Sequence, residues 1–304
     1  MLNFFISLIT VLYVGELLTS PPVLAQNQNF IPVRGGIEYG ISGIALIEQN
    51  REKSNFLIVH DNKKSNQGRL AIISIQGEKQ PEYLPLILLF DKIKLPNDLE
   101  ALTTIPNRNN NEFIALSSDG KGYHIKLEFK NQTASIIKEF KLPEIDKNDN
   151  FESFALQKID NQLIVVWAHR GAGKEPAKIY WGKFDINKYQ INNINSATFT
   201  VPFPDGKVRH ISDLKIDNAG IVYISTANDN GDNGPFASAV YVAGYLGFND
   251  NKKIEWRQNQ QLFPIYRNNY HKIEGLEIIP GAEGGIIVGT DDENMGASVY
   301  MIGE

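Results

Sequence analysis

The chain has 304 residues, with 30 lysines and arginines against 35 aspartates and glutamates, and a formal net charge of −5. This balance, without a basic cluster, disfavours nucleic acid and anionic membrane surfaces as partners. The chain contains no cysteine, which excludes disulfides, thiolate metal sites and cysteine nucleophiles.

The N-terminal segment is typical of a secretory signal peptide. An apolar run over residues 4–15 is followed by two prolines and then by Val23-Leu24-Ala25 before Gln26, which matches a small-residue cleavage site. The run is shorter than the about 20 apolar residues that a spanning helix needs. We predict a signal peptide over residues 1–25, a secreted or periplasmic protein, and no membrane span after cleavage. An uncleaved N-terminal anchor is the alternative, because no Lys or Arg precedes the run.

The remainder, residues 26–304, contains a repeat of 52 to 62 residues. Five segments share one pattern, an apolar residue, a small or acidic residue and a second apolar residue. The segments are GISGIALI at Gly40, DLEALTTI at Asp98, NFESFALQ at Asn150, HISDLKID at His210 and KIEGLEII at Lys272. The residue after the first apolar position marks each unit, and these marker residues are Ser42, Glu100, Glu152, Ser212 and Glu274.

Each unit continues with short apolar segments bounded by Gly, Asn and Asp, which is the pattern of β-strands. The second strands are predicted at 56–59, 113–116, 163–167, 221–225 and 286–289. The third strands begin at residues 69, 123, 178, 239 and 298. Four units have a fourth strand, at 84–90, 135–143, 197–204 and 261–267. The last unit has none, but residues 29–35 resemble the segment at 261–267.

A four-stranded unit repeated around an axis, with the N-terminal strand completing the last unit, predicts a single all-β propeller. We expect five four-stranded blades, with six blades as the second possibility. Two β-sandwich domains are the alternative fold. That alternative explains neither the recurring marker residue nor the missing terminal strand.

The marker residues predict a cluster of carboxylates, because the first strand of each propeller blade lines the central channel. Glu100, Glu152 and Glu274, with Asp213 beside Ser212, would repel one another unless a cation were bound. Oxygen ligands favour Ca²⁺ or Mg²⁺, and Ca²⁺ tolerates irregular geometry. We therefore predict a cation site, with Ca²⁺ as its ion. Hydrogen bonds from these acids to backbone N–H groups, which would only tie the blades together, are the alternative.

A second set of polar residues follows the second strand of each unit. Two of its histidines, His60 and His169, could meet across one face as acid–base groups. The candidate catalytic residues are His60, His169, Asp61, Asp119 and Asp291. The alternative interpretation is turn chemistry, since Asp and Asn side chains bond to nearby backbone groups in turns.

Three units resemble the phytase-like esterase family and related bacterial propellers. The residues that carry the resemblance are GISGIAL with Asp61, DLEALTTI with FIALSSDGKG, and KIEGLEIIPG with IIVGTDDEN. The resemblance implies an extracytoplasmic propeller with a Ca²⁺-assisted esterase or phosphoesterase activity. The positions that match the family are Glu100, Asp119, Glu274 and Asp291.

The sequence thus leads to two functional hypotheses. The first is a hydrolase of esters or phosphoesters, in which a divalent cation polarises the scissile group. The second is a non-catalytic propeller that binds a protein, a glycan or a small ligand on one face, because a fold does not fix a function.

Overall fold

The β-branched and aromatic segments fold as strands along the whole chain. The computed structural model describes residues 30–91, 94–108, 111–143, 149–281 and 284–303. Within these ranges the chain forms 22 strands in five sheets. Three single-turn 3-10 helices complete the described secondary structure, at Ile37–Tyr39, Phe129–Asn131 and Glu293–Met295.

Each sheet is one blade of a propeller, and the first strands of the five blades pack against one another around the central axis. The first strand within the described ranges is β1 (Ile31–Arg34). Blade 1 contains β2 (Gly43–Gln49), β3 (Ser54–Val59), β4 (Leu70–Ile75) and β5 (Glu82–Pro85). After β6 (Ile87–Leu89), blade 2 contains β7 (Leu99–Thr104), β8 (Glu112–Ser117), β9 (Lys121–Glu128) and β10 (Thr133–Lys141).

The other three blades repeat this order from the axis outward. Blade 3 contains β11 (Phe151–Ile159), β12 (Gln162–His169), β13 (Ala177–Asp185) and β14 (Gln190–Phe199). Blade 4 contains β15 (Val208–Ile216), β16 (Ile221–Asn228), β17 (Ser238–Phe248) and β18 (Ile254–Gln258), and β19 (Pro264–Asn268) follows it. Blade 5 contains β20 (Ile273–Ile278), β21 (Ile286–Thr290) and β22 (Ala297–Ile302).

The N-terminal strand closes the ring. Strand β1 pairs antiparallel with β22, with Ile31 opposite Val299, and so becomes the fourth strand of blade 5. The predicted single five-bladed propeller with this closure is confirmed, and the six-bladed and two-sandwich alternatives are wrong. Beside the closure, the Arg34 guanidinium lies 4.3 Å from the ring centre of Tyr39 and 5.0 Å from that of Tyr83.

Two of the predicted fourth strands differ from the structure. Residues 84–90 are divided, since β5 ends at Pro85 and β6 then pairs parallel with β10 of the next blade. The N–H of Leu86 still donates to the Leu70 carbonyl at 3.0 Å, but Leu70 is the first residue of β4, so this strand offers no further partner. In blade 4 the predicted strand at 261–267 corresponds largely to β19, which pairs with the start of β17, while β18 pairs with its end. The 11 residues of β17 are enough for both partners.

The hydrophobic core lies between neighbouring blades, because each sheet buries both faces. Blades 2 and 3 enclose Phe154, Trp167 and Tyr180, and the last two rings stack with their centres 5.2 Å apart. Similar clusters fill the other four blade interfaces. Burial of this apolar surface holds the blades at fixed angles and so fixes the positions of side chains at the axis.

No helix within the described ranges is long and apolar enough to cross a membrane. The predicted signal peptide, residues 1–25, lies outside the described residues. Export of the protein therefore stays a prediction from the sequence.

Candidate functional site

The acidic marker residues lie at β-bulges near the start of inner strands. In blade 2, the residues on either side of Glu100 pair with consecutive residues of β8, so Glu100 is the extra residue. Glu152 and Glu274 have the same place in blades 3 and 5. A bulge removes its extra residue from the ladder and redirects its side chain. The bulges thus turn three glutamates toward one end of the axis.

Serine occupies the marker position in blades 1 and 4. The hydroxyls of Ser42 and Ser212 are buried and have no hydrogen-bond partner among the described residues. In blade 4 the interruption is wider, because regular pairing stops at Arg209 and resumes at Asp213. The side chain of Arg209 reaches the axis in this blade. Blade 4 therefore contributes a positively charged guanidinium group in place of a fourth acid.

Glu100, Glu274 and Arg209 line a cavity of about 210 Å³ at the mouth of the axis. Its lining, among the described residues, consists of six carboxyl side chains, four basic side chains and Asn150. The lining residues are Asp61, Lys63, Asp98, Glu100, Asn150, Arg170, Arg209, Lys272, Glu274, Asp291 and Glu293. The cavity therefore suits a strongly polar ligand.

In the half of the cavity formed by blades 3 to 5, basic side chains bind the acids. Arg209 contacts Glu274, lies 3.7 Å from an oxygen of Glu152 and reaches Asp229 at 3.2 Å. Arg170 donates a 2.8 Å hydrogen bond to Glu152. Ion pairs in this half thus cross from blade to blade.

Lys272 binds the remaining acids of this half. Its ammonium group lies 3.1 Å from Glu274 and 3.7 Å from Asp291, and it also contacts Glu293. Burial acts to raise the pKa of Glu274, but Lys272 and Arg209 outweigh it and hold that pKa below its usual range. Burial and the neighbouring Glu274 raise the pKa of Asp291. Two adjacent carboxyls are therefore shifted in opposite directions.

The half formed by blades 1 and 2 has an excess of acid. Carboxyl oxygens of Asp61, Asp98 and Glu100 all lie within 4.8 Å of one another. The backbone N–H of Asp98 donates to the Asn62 carbonyl at 3.2 Å, and this link brings the turn after β3 beside the start of β7. The one ion pair of these three acids within the described ranges is Asp98 with Lys63, at 2.9 Å.

Glu100 is the least compensated acid of the three. Its side chain is turned into the cavity, yet the residue is 9% exposed. It makes no hydrogen bond or ion pair with any other part of the chain that the structure describes. Burial, followed by the charges of Glu152 and Glu274, raises the pKa of Glu100. Burial and Glu274 likewise raise the pKa of Asp61 to about 6.

Lys63 is the one counter-charge paired with these three carboxyls in the described structure, and the pKa values of Asp61 and Glu100 are raised. Like charges this close favour the uptake of a proton or a cation. A proton shared in this way creates a carboxylic acid beside a carboxylate, which is the arrangement that acid–base catalysis uses.

The four predicted cation ligands fall into three environments. Glu100 belongs to the group with Asp61 and Asp98, while Glu152 and Glu274 are bound by arginine and lysine. Asp213 lies deeper, 3.0 Å from the Lys215 ammonium. Cation binding by these four residues stays a prediction.

Of the five candidate catalytic residues, Asp61 and Asp291 line the cavity. His60 is buried inside blade 1, where its ring nitrogens lie 2.6 Å from the Gly40 carbonyl and 3.1 Å from the Tyr83 hydroxyl. His169 accepts a 2.9 Å hydrogen bond from the Asn150 N–H. Asp119 is bound in its own turn by Ser117 and Lys121. The structure does not bring the two histidines together at the cavity.

Sequence reasoning missed Asp98, Lys63, Arg209, Lys272 and Glu293. A signal was available for two of them, because Asp98 and Lys272 both precede a marker glutamate by two residues. Both residues directly precede an inner strand, so a charge at that place could have been assigned to the same end of the axis as the marker glutamate. Nothing in the local pattern singles out the other three.

Several solved structures share this fold. They include an endo-1,4-beta-xylanase from Bacteroides thetaiotaomicron VPI-5482, at 11% identity and a TM-score of 0.51 over 88% of this chain and 92% of that one. An exo-1,5-alpha-L-arabinanase from a bovine ruminal metagenomic library has 9% identity and a TM-score of 0.51 over 89% and 94%. A third, described as a glycoside hydrolase, has 10% identity and a TM-score of 0.51, and this chain spans 62% of its length.

The resemblance to phytase-like esterases is wrong, because the structural neighbours are glycoside hydrolase propellers. No protein-family model matches the sequence, and no curated protein is significantly similar to it. The segments that suggested the resemblance are inner strands with a bulge and the turns after second strands. Those features follow from blade geometry and do not identify a chemistry. At these identities the structural similarity shows the fold alone.

Proposed function

We propose that the protein hydrolyses a glycosidic bond at the axial cavity, with Glu100 as the acid and Asp98 as the nucleophile. The observation that carries the proposal is a buried carboxyl, Glu100, without a partner in the described structure and within 4.8 Å of two other carboxyls. The fold that the chain shares with carbohydrate hydrolases supports a glycan as substrate.

The surroundings of Asp98 and Glu100 fit these different roles. Asp98 accepts a hydrogen bond from the Ser118 hydroxyl and pairs with Lys63, and both contacts hold its carboxyl group in place. Glu100 has neither kind of contact, and the direction of its pKa supports a bound proton. A carboxylic acid beside a carboxylate is the pair that glycoside hydrolysis requires.

The close spacing of the carboxyls favours a retaining mechanism, for which a separation of about 5 Å is typical. The bond from the anomeric carbon to the leaving oxygen breaks as that oxygen takes the proton of Glu100. Asp98 forms an ester with the anomeric carbon. A water molecule then attacks that carbon, gives a proton to the Glu100 carboxylate and releases Asp98 as a carboxylate.

A divalent cation is the second candidate occupant of the three carboxyls. Carboxylate oxygens are the ligands that Ca²⁺ prefers, and an unpartnered buried carboxyl is what a site without its ion would contain. In that case the cavity supports cation-assisted hydrolysis or cation binding alone. The two candidates differ in their response to a chelator.

The test is a substrate panel with the purified protein. It contains 4-nitrophenyl glycosides and xylo- and arabino-oligosaccharides, together with 4-nitrophenyl acetate and phosphate. We expect turnover of a glycoside in the presence of EDTA, and a loss of about 100- to 10,000-fold in kcat for Glu100→Gln. Asp119→Asn removes a carboxyl outside the cavity and should leave kcat unchanged.

Three outcomes would overturn the proposal. Full activity of Glu100→Gln excludes its role as the acid. Activity that EDTA abolishes and Ca²⁺ restores supports the cation instead. Binding of glycans without any turnover supports the non-catalytic hypothesis.

A further inference from the structure

The channel along the axis is closed between its two ends. A second cavity, of about 850 Å³, opens at the far ends of the inner strands, and it shares no lining residue with the cavity at the mouth. The mouth cavity lies beside the marker residues, at the start of the inner strands. The second cavity begins a few residues further along these strands. A ligand that enters the mouth therefore has no way through the described structure.

The closure consists of a buried ion pair in blade 4. The Lys215 ammonium donates to Asp213 at 3.0 Å and to the Leu102 carbonyl of blade 2 at 3.0 Å. Asp213 also accepts the Leu276 N–H of blade 5 at 2.9 Å. Both charged side chains are almost fully buried. These bonds tie three inner strands together across the axis, between the mouth cavity and the opposite cavity that Lys215 lines.

The mouth cavity is small as well as closed. Its volume of about 210 Å³ lies below the roughly 300–1,000 Å³ of pockets that enclose drug-sized ligands. A single monosaccharide matches this size, and its hydroxyls match the polar lining. A small cavity without a second opening favours a terminal sugar over an internal stretch of a glycan, which would have to enter and leave.

The rim of the cavity has a different chemistry. Tyr270 is 70% exposed and precedes the lining residue Lys272 by two positions, and Met295 is 53% exposed and follows the lining residue Glu293 by two. The turn that carries Ile37 packs against the turn of Met295. Exposed side chains only two residues from lining residues are positioned to contact a ligand that extends beyond the cavity. An aromatic ring with a polar tip suits the C–H face of a sugar outside the cavity.

We infer that the protein acts on chain ends: one terminal sugar occupies the cavity, and the next unit packs on Tyr270. The inference rests on the proposed glycoside hydrolysis. It names the substrate as an unblocked glycan terminus, and the first product as a monosaccharide.

The first experiment follows products from xylohexaose and arabinohexaose by chromatography over time. We expect a monosaccharide and a pentasaccharide as the first products. Early mixtures of di-, tri- and tetrasaccharides would overturn chain-end action while leaving glycoside hydrolysis intact. Absence of hydrolysis on the whole panel would overturn the proposed function, and end recognition is then decided by binding.

The binding experiment compares hexasaccharides that carry a bulky acetal on the non-reducing end or 2-aminobenzamide on the reducing end. One of these two blocking groups, the acetal or the 2-aminobenzamide, should abolish binding of the hexasaccharide to the protein, as measured by calorimetry. Equal binding of both blocked forms and the free form would overturn end recognition. This measurement does not depend on turnover.

The role of the rim is tested separately with Tyr270→Ala. We expect KM for a hexasaccharide to rise about fivefold, and KM for the 4-nitrophenyl monosaccharide and kcat to stay unchanged, because stacking involves only the second sugar. Phe129→Ala is the matched control, since Phe129 is exposed beyond the far end of β9. Equal effects of Tyr270→Ala on both substrates would contradict this role.

Discussion

At the scale of single residues, carboxyl groups at equivalent positions of the repeat have pKa values shifted in opposite directions. Glu100 and Glu274 are both bulge residues on inner strands, yet the pKa of Glu100 is raised and that of Glu274 is lowered. Burial favours the neutral form of both. The difference comes from their neighbours, since Lys272 and Arg209 form ion pairs with Glu274 and, within the described residues, not with Glu100.

Arg209 is the residue whose loss should disturb the fold most at the mouth. Arg209→Met leaves Glu152 and Glu274 buried with less compensating charge, and we expect the free energy of unfolding to fall by about 3 kcal/mol. Urea denaturation at pH 7 measures this. The loss should shrink at acidic pH, where the two glutamates can take up protons. The control is Arg257→Met, which removes an exposed ion pair with Glu255; a similar loss there would show that the effect is not specific to the mouth.

At the scale of elements, the closure of the ring depends on one short strand. Strand β1 has four residues, but it supplies the outer ladder of blade 5 and buries Val33. Without it, β22 would expose an unpaired edge, which favours association with other chains. Blade 5 therefore depends on residues that lie more than 260 positions away in the sequence.

Removal of residues 1–35 should open blade 5. Loss of the burial of Val33 and of the ladder to β22 predicts a decrease of roughly 3 kcal/mol or more in the free energy of unfolding, and a tendency to oligomerise. Thermal melting and size-exclusion chromatography measure the two effects. Removal of residues 1–29 retains β1 and should have neither. Equal melting temperatures of the two truncated proteins would contradict a structural role for the closure.

At the scale of the whole molecule, the axis has chemically different ends. The mouth is small and entirely polar, and the opposite cavity is wider, with apolar strand ends and five charged residues in its wall, among them Lys215 and Glu277. Burial raises the pKa of Glu277 to about 7, although Lys215 opposes the shift. Burial likewise raises the pKa of Asp213 to about 6.

The raised pKa of Glu277 predicts that this carboxyl stabilises the fold more in mild acid than at neutral pH. A carboxyl with a folded pKa near 7 and an ordinary value of 4.5 stabilises the fold fully below about pH 4.5, and the contribution is lost as pH rises through 7. Glu277→Gln should therefore gain melting temperature relative to the native protein between pH 5 and 8, most at pH 8. The control Glu48→Gln, at an exposed carboxyl of the same cavity, should keep the native pH dependence. A constant difference across this range would contradict the assignment.

More of the fold than of the candidate site could be predicted from the sequence. Local patterns of apolar and turn residues predict the repeated strands, the number of blades and the closure by the N-terminal strand. The partial failures, at residues 84–90 and 261–267, occur where one segment has two possible neighbours. Strand pattern alone does not say which sheet a strand joins.

The sequence by itself determined that marker acids recur on the inner strands, because the bulged strand has a local signature that repeats. Only the tertiary structure decided which of these acids is compensated. Arg209 lies 65 residues from Glu274, and Asp61 lies 39 residues from Glu100, so their contacts depend on how the blades meet at the axis. The physical reason is that the charge of a buried carboxyl depends on the groups within a few ångströms of it, and blade packing places those groups.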